Sequence, residues 1–316
     1  MQQTNIRYGL TCLSEILSRQ SKTYRYRTIT RKRFNELGRT HGLSQLSERI
    51  LHNVNYAKVI LMHCAEQDIT HYRIPEFFPL LTDDSLSLTF TDLPDHATIL
   101  KEIVELGKLA STLGIRIGAH PDQFVILCSP RDTVCAKSIV ELNQVSWFFN
   151  QMQLPQSYVA PINIHPSCAL NDTQSMEVVA HRFYTNLMKC DLGVRNRLVL
   201  ENEDKSSWNC ENLLAFRELL DTEYGFKIPL TWDNWHHKCN PSSALISDND
   251  WLQKFKETWP VEVEPVMHWS EGGKNGKLRA HVDYISETVG KPFDSTCIWE
   301  LEVKAKDNAI LKLQSK

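Results

Sequence analysis

The chemistry this sequence can offer rests on eight side chains: His120, His165, Glu201, Asp233, His236, His268, His281 and Glu302. The stretch Pro229 to His237 (PLTWDNWHH) shows why they stand out. It begins as a short apolar run, bounded upstream by Gly225, and reads as a buried strand. It ends in Asp233, His236 and His237, one carboxylate and two imidazoles within five residues. Ionisable groups are costly to bury unless paired or bound to metal, so a buried strand rarely ends that way by chance. The ending recurs along the chain. His120 closes the third such run, His165 the fourth, Glu201 the fifth, His268 the seventh and Glu302 the eighth, while His236 lies just past the sixth and His281 in the loop after the seventh.

One imidazole at a strand end is ordinarily a hydrogen-bonded structural residue, and one carboxylate there can cap the next helix. Six successive strand ends are harder to explain that way. Glu201, Asp233 and Glu302 crowded into one small volume would repel, and at least one would have to be protonated. Divalent cations remove that penalty. Mixed His, Asp and Glu ligation suits manganese, zinc, iron or cobalt better than magnesium or calcium, which prefer oxygen shells. The ligands are too many for one ion, so two or three divalent metal ions are expected. Manganese is the expected metal, with magnesium, zinc or cobalt as alternatives. Clustered ions of this kind serve hydrolytic displacement at phosphorus, activating a water and stabilising the leaving oxygen. Sugar isomerases and epimerases place two metals on the same scaffold, so the metal site alone does not name the substrate. His237 ranks below His236 as a ligand, and Glu203 is a candidate supporting group beside Glu201. His41, His52, His63, His71, His96 and His181 have no such placement and read as surface or satisfied core residues.

These side chains need elements that bring strand ends together. Strands are expected over 5–12, 69–74, 115–120, 158–165, 197–201, 228–233, 261–269 and 296–303. Helices are expected over 45–67, 95–113, 132–151, 173–189, 209–224, 250–258 and 283–289, with a helical tail from Asp307. The first of these is capped by Ser44 and carries Leu46, Ile50, Val54, Ala57, Leu61 and Cys64 on one face. Asp95 caps the second, which ends at Gly114. Alternation of strand and helix implies a parallel sheet. Eight units favour an α/β fold of the (β/α)8 TIM-barrel type, in a single domain spanning 1–316. In such a barrel all the C-terminal strand ends share one rim, where barrel enzymes place their chemistry. No Gly-x-Gly-x-x-Gly follows the first strand, which weakens a dinucleotide-binding reading.

The net charge of −3 argues for nothing, but its distribution does. Residues 1–40 hold nine Lys or Arg against two acids. A basic arm over 19–39, with Tyr24 and Tyr26 interleaved, offers phosphate contacts from Arg25, Arg27, Arg31, Lys32 and Arg33 beside aromatic stacking surface. A small-sugar enzyme does not need it. The N-terminus lacks a signal-peptide pattern, and no apolar run reaches the roughly 18 residues of a membrane span. Nine scattered cysteines without a Cys-x-x-Cys pair suit reduced thiols in a cytoplasmic protein. A monomer is expected.

Taken in order, several motifs resemble the UV damage endonuclease family. They are Ile6–Gly9 (IRYG), Gly118–Phe124 (GAHPDQF), Asn163–Pro166 (NIHP), Leu200–Asp204 (LENED), Asp233–His237 (DNWHH) and Leu301–Lys306 (LEVKAK). The resemblance spans nearly the whole chain. It implies a metal-dependent DNA repair endonuclease that nicks duplex DNA immediately 5′ of a UV photoproduct. By the same motifs, all eight residues named at the outset would be metal ligands, with Glu201, Asp233, His268 and Glu302 at the catalytic centre. Gln123 and Phe124 would wedge into the duplex. An aromatic ring can stack where a flipped nucleotide has left, and an amide can bond an orphaned base edge. Three places depart from the family pattern. Leu10 stands where an aromatic is usual and Val266 where a lysine is usual. The segment Pro75–Pro79 offers no histidine after the second strand, where Asp83 or Asp84 is the candidate substitute.

Overall fold

The computed structural model describes residues 6–272, 279–286 and 295–315. Its strands are β1 Arg7–Thr11, β2 His71–Ile74, β3 Arg116–Ala119, β4 Ile162–Ile164, β5 Leu198–Glu201, β6 Leu230–Thr231, β7 Val266–Trp269 and β8 Ile298–Leu301. All neighbours are parallel, in the order β6-β5-β4-β3-β2-β1-β8-β7. The two ends of that order meet through one bridge, Asp233 with His268, where the His268 N–H donates to the Trp232 carbonyl at 3.0 Å. Side chains carry the rest of the seam. Thr231 Oγ1 donates to the Val266 carbonyl at 3.1 Å, and the Asn234 amide exchanges bonds of 2.8 and 3.0 Å with the Ser270 backbone. The sheet is a nearly closed (β/α)8 barrel, as the alternation predicts, and its seam lies at two of the candidate ligands.

The helices are α1 Glu15–Gln20, α2 Arg31–Glu66, α3 His96–Leu113, α4 Asp132–Gln151, α5 Met176–Leu187, α6 Leu192–Arg195, α7 Cys210–Tyr224, α8 Asn234–Cys239, α9 Asp248–Lys256 and α10 Asp307–Gln314. Side chains of Ser175, Asn209 and Ser247 cap α5, α7 and α9. Gly114 and Gly225, at φ 66° and 64°, end α3 and α7 in the left-handed region that a residue without Cβ adopts freely. The stripe Leu46, Ile50, Val54, Ala57, Leu61 and Cys64 is wholly buried. Among the described residues no helix is long and apolar enough to cross a membrane.

Several expectations are corrected. Helix α2 begins at Arg31, capped by Thr30, with a break at Gly38 (φ 72°, ψ 164°); Ser44 lies inside it. The sequence hid this start because little apolar surface precedes Leu46. Gly42 supplies the packing instead, leaving room for the Phe34 ring, which a Cβ there would meet at 2.8 Å. The basic arm is therefore helical from Arg31 onward. Tyr24 and Tyr26 are not free stacking surface: both pack on Tyr56, with ring centroids 5.9 and 4.9 Å away. Helices α1 and α8 escaped the sequence pattern, being too short for a periodic stripe. β7 starts at Val266 rather than 261. The helix expected over 283–289 is absent from 283–286, and the rest of it lies outside the described residues.

Asp307 ties three helices together. Its carboxylate accepts from the Glu15 N–H and from His63 Nε2, both at 2.9 Å, and from the Ser14 hydroxyl, which itself caps α1. Burial works against the charge, yet the His63 and Ser14 donors outweigh it and hold Asp307 below the usual carboxylate range. With a depressed folded value, its stabilisation is present above the unfolded pKa of about 3.9 and is lost as pH falls through the folded one. Urea melts in chelator should show Asp307→Asn less stable than the parent by about 1–3 kcal/mol at pH 7. The gap should narrow as the pH drops below about 4.

Candidate metal centre at the barrel rim

Glu201, the last residue of β5, has 0% exposure and sits at the middle of the rim. Its Oε2 lies 3.1 Å from His120 Nε2, 3.1 Å from His268 Nδ1 and 4.0 Å from His165 Nε2. The Asn163 amide donates to the same oxygen. Its Oε1 lies 3.1 Å from Nδ1 of His236, although that nitrogen bonds the Asn202 carbonyl at 2.9 Å. The elements explain the convergence. His120 and His165 are the residues immediately after β3 and β4, Asp233 leads from β6 into α8, and His268 sits on β7 at the seam. Asp233 has two duties. Its Oδ1 caps α8 by accepting from the His236 N–H at 2.6 Å, while Oδ2 is buried without a hydrogen bond. Asn202 locks it in place, accepting from the Asp233 N–H at 2.8 Å and donating to its carbonyl at 3.0 Å.

Glu302 lies just past β8 and stands to one side. Its Oε1 is 3.5 Å from His268 Nδ1 and 2.6 Å from the Arg73 guanidinium. His281 approaches it at 3.7 Å and also bonds Ser270 Oγ. All eight residues expected as ligands therefore gather on one rim. The tightest groupings are His120, His165 and Glu201, and Glu201, Asp233 and His268, each with donor atoms within 4.8 Å of one another. His236, His281 and Glu302 flank them.

The electrostatics follow from burial. For Glu201 burial pushes upward, but the His268 and His165 imidazoles outweigh it and hold the carboxyl well below its ordinary value. For His268 burial pushes downward, and Glu201 and Glu300 hold it well above the usual imidazole value. His236 is raised in the same way, by Asp233 and Glu201 against its burial. Asp233 moves up, through burial and then the charges of Glu201 and Glu302, against the pull of His236. The two acids differ because Glu201 has most of the imidazoles for company. Burial takes His165 down to about 4, leaving a neutral ring with a lone pair to give.

Divalent metal ions fit this donor set. Glu201 Oε1, Asp233 Oδ2 and His268 Nδ1 are buried at the centre and make no hydrogen bond. Buried polar atoms are nearly always satisfied, so a group of residues that each leave such an atom unbonded is one that could hold a cation. Glutamate, aspartate and imidazole are the donors that manganese, zinc or cobalt accept.

Around the rim, Phe124 is 72% exposed in the loop after β3, beside exposed Gln123. Arg25, Arg31, Lys32 and Arg33 are exposed and Arg27 is half-buried. Some of this basic charge is already matched, Arg27 by Glu48 at 3.4 Å, Arg31 by Asp83 at 3.4 Å and Arg33 by Glu36 at 3.6 Å. Asp83 is engaged by Arg31 and Ser85, and neither it nor Asp84 belongs to the tight groupings at the rim. Leu10 and Val266 are buried apolar residues of β1 and β7.

Sequence reasoning missed Arg73 and Glu300, and it set His71 apart from the site. A usable signal was present. Alternate residues of a strand face the same side, so Glu300 must face with Glu302, and His71 with Arg73. Among the remaining histidines the unremarkable reading holds, as with His63 bonded to Asp307 and His52 to the Arg25 carbonyl.

A family model described as UV-endonuclease UvdE matches residues 6–316. A UV DNA damage endonuclease of Nostoc sp. is 29% identical, the match covering 97% of this chain and 89% of that protein. Among solved structures, one described as SacUVDE superposes with a TM-score of 0.81 at 24% identity, covering 98% of this chain and 97% of that one. Endonuclease IV from Thermus thermophilus superposes with a TM-score of 0.54 at 13% identity, covering 82% and 93%. The two structures speak for the shared barrel.

Proposed function

The chain belongs to the UV-endonuclease UvdE family, and on that footing we propose that it cuts one strand of UV-damaged duplex DNA immediately 5′ of the photoproduct, using two or three divalent ions held at the barrel rim. It is a UV damage endonuclease, a DNA-cleaving hydrolase. The observation that carries the metal-dependent reading is the Glu201 carboxylate, fully buried among imidazoles with one oxygen left unbonded. We assign one ion position to His120, His165 and Glu201, and a second to Glu201, Asp233 and His268. Glu302, His281 and His236 are available to complete these positions or a third. Bound ions, manganese in this reading, would supply the positive charge that activates water and stabilises the leaving oxygen of a phosphodiester.

The chain's own residues do the rest. Glu201, Asp233, His268 and Glu302 hold the catalytic centre in place. Asn202 and Asn163 fix the acids from behind through the bonds described above. Exposed Phe124 stacks in the space left by a displaced nucleotide, and Gln123 bonds the orphaned base edge. Arg25, Arg27, Arg31, Lys32 and Arg33 engage backbone phosphates. A sugar epimerase on the same barrel has no use for an exposed aromatic wedge or a basic flank. We place the activity in one domain over 1–316, working as a monomer in the cytoplasm.

The test is an end-labelled duplex bearing one photoproduct, incubated with manganese and with or without chelator. A chelator-sensitive nick directly 5′ of the lesion is expected, slowed about 100-fold or more by Glu201→Gln. Intact DNA, or undiminished cutting by that variant, contradicts the assignment. Phe124→Ala should weaken affinity for the lesion duplex about tenfold, the usual worth of one base–aromatic stack, and leave manganese binding unchanged. Fluorescence anisotropy with labelled duplex measures the first, and equilibrium dialysis the second.

A further inference from the structure

Behind the rim lies a second charged group that the proposed centre does not use. Glu300 on β8 is 3% exposed, and its carboxylate is gripped from three sides. Oε1 accepts from His71 Nε2 at 2.7 Å, while Oε2 lies 3.0 Å from the Arg73 guanidinium and 3.2 Å from His268 Nε2. The barrel makes room for this group by omitting side chains. A Cβ on Gly9 would stand 3.0 Å from Glu300 Cγ and 3.0 Å from His71 Cδ2, and one on Gly118 would stand 3.1 Å from the His71 ring. Register brings the partners level, with Gly9 opposite both His71 and Glu300, and Glu300 opposite His268.

A carboxylate buried this deeply loses its hydration, a cost that pairing only partly offsets. An aliphatic residue would fill the space at less cost, so the charge needs another reason. The His268 ring supplies one. Its Nε2 faces Glu300, and its Nδ1 faces Glu201 at 3.1 Å and Glu302 at 3.5 Å. A ligating histidine is oriented by the acceptor that takes its other N–H.

We propose that Glu300 is a positioning residue: it holds the Nε2–H of His268, so that Nδ1 is the atom this ring presents to Glu201 and Glu302. His71 and Arg73 hold Glu300 in turn. Arg73 also bonds Glu302, so one buried unit orients two of the rim residues. The inference rests on reading the rim as a metal centre.

The test is manganese binding to metal-stripped protein, followed by the electron paramagnetic resonance signal of free Mn²⁺. Failure of the parent to bind overturns the metal-centre reading itself. If the parent binds, Glu300→Gln should raise the dissociation constant about 10- to 100-fold. Saturating manganese should restore most of its kcat, and its circular dichroism in chelator should match the parent. Binding within twofold of the parent, or kcat lost at every manganese concentration while binding is intact, overturns the role given to Glu300. If Glu300→Gln does not fold, His71→Gln decides, because it keeps both carboxylates and Arg73. A several-fold weaker affinity supports the role and an unchanged one overturns it.

Discussion

A charged carboxylate sealed inside a protein is the constraint on which this structure depends. Glu201 has no exposure, and burial alone would push its proton back on. It stays ionised because His120, His165, His236 and His268 approach it from four different strand ends or loops. Those imidazoles can meet only if the strands share one rim, which requires the sheet to curl until β6 reaches β7. The curl is completed by Asp233 and His268, which serve both as the last bridge of the barrel and as members of the site. Fold and chemistry are therefore fixed by the same residues.

The charges are arranged in two layers. The upper layer is Glu201, Asp233 and Glu302 with their histidines, in which Glu201, Asp233 and His268 are buried and His120, His165, His236 and Glu302 keep partial exposure. The lower layer is Glu300 and His71, buried against Gly9 and Gly118, with the partly exposed Arg73 beside them. Arg73 links the layers, ion-paired with Glu300 at 3.0 Å and hydrogen-bonded to Glu302 at 2.6 Å. The protein offers DNA a rim of acids that only cations can make hospitable to a phosphate. Around it stand the exposed Phe124 ring and a basic flank. That arrangement is compatible with an endonuclease of the UvdE family.

Much of this was legible in the sequence because of two periodicities. Apolar runs ending in His, Asp or Glu marked the rim, and stripes at helical spacing marked the outer helices. The candidate ligands His120, His165, Glu201, Asp233 and His268 are found together because strand ends converge whatever the loops do. What escaped was set by contacts distant in sequence. Glu300 goes unmarked in the sequence, although it alternates with Glu302, because its partners His71 and His268 come level with it only through strand register. Tyr24 and Tyr26 suggested a stacking surface in a basic arm, but the neighbouring Tyr56 and Phe77 rings claim them. Helix α2 began 14 residues before its expected start, because Gly42 and Phe34 pack in a way no stripe announces.

The most direct measurement is an anomalous difference map at the manganese absorption edge, from crystals grown with manganese. Peaks are expected at the rim with Glu201 in contact, one shared with His120 and His165 and one with Asp233 and His268. A map with no rim peak, and with the imidazoles still 3.1 Å from Glu201 as bare ion pairs, would contradict a metal centre built on that carboxylate.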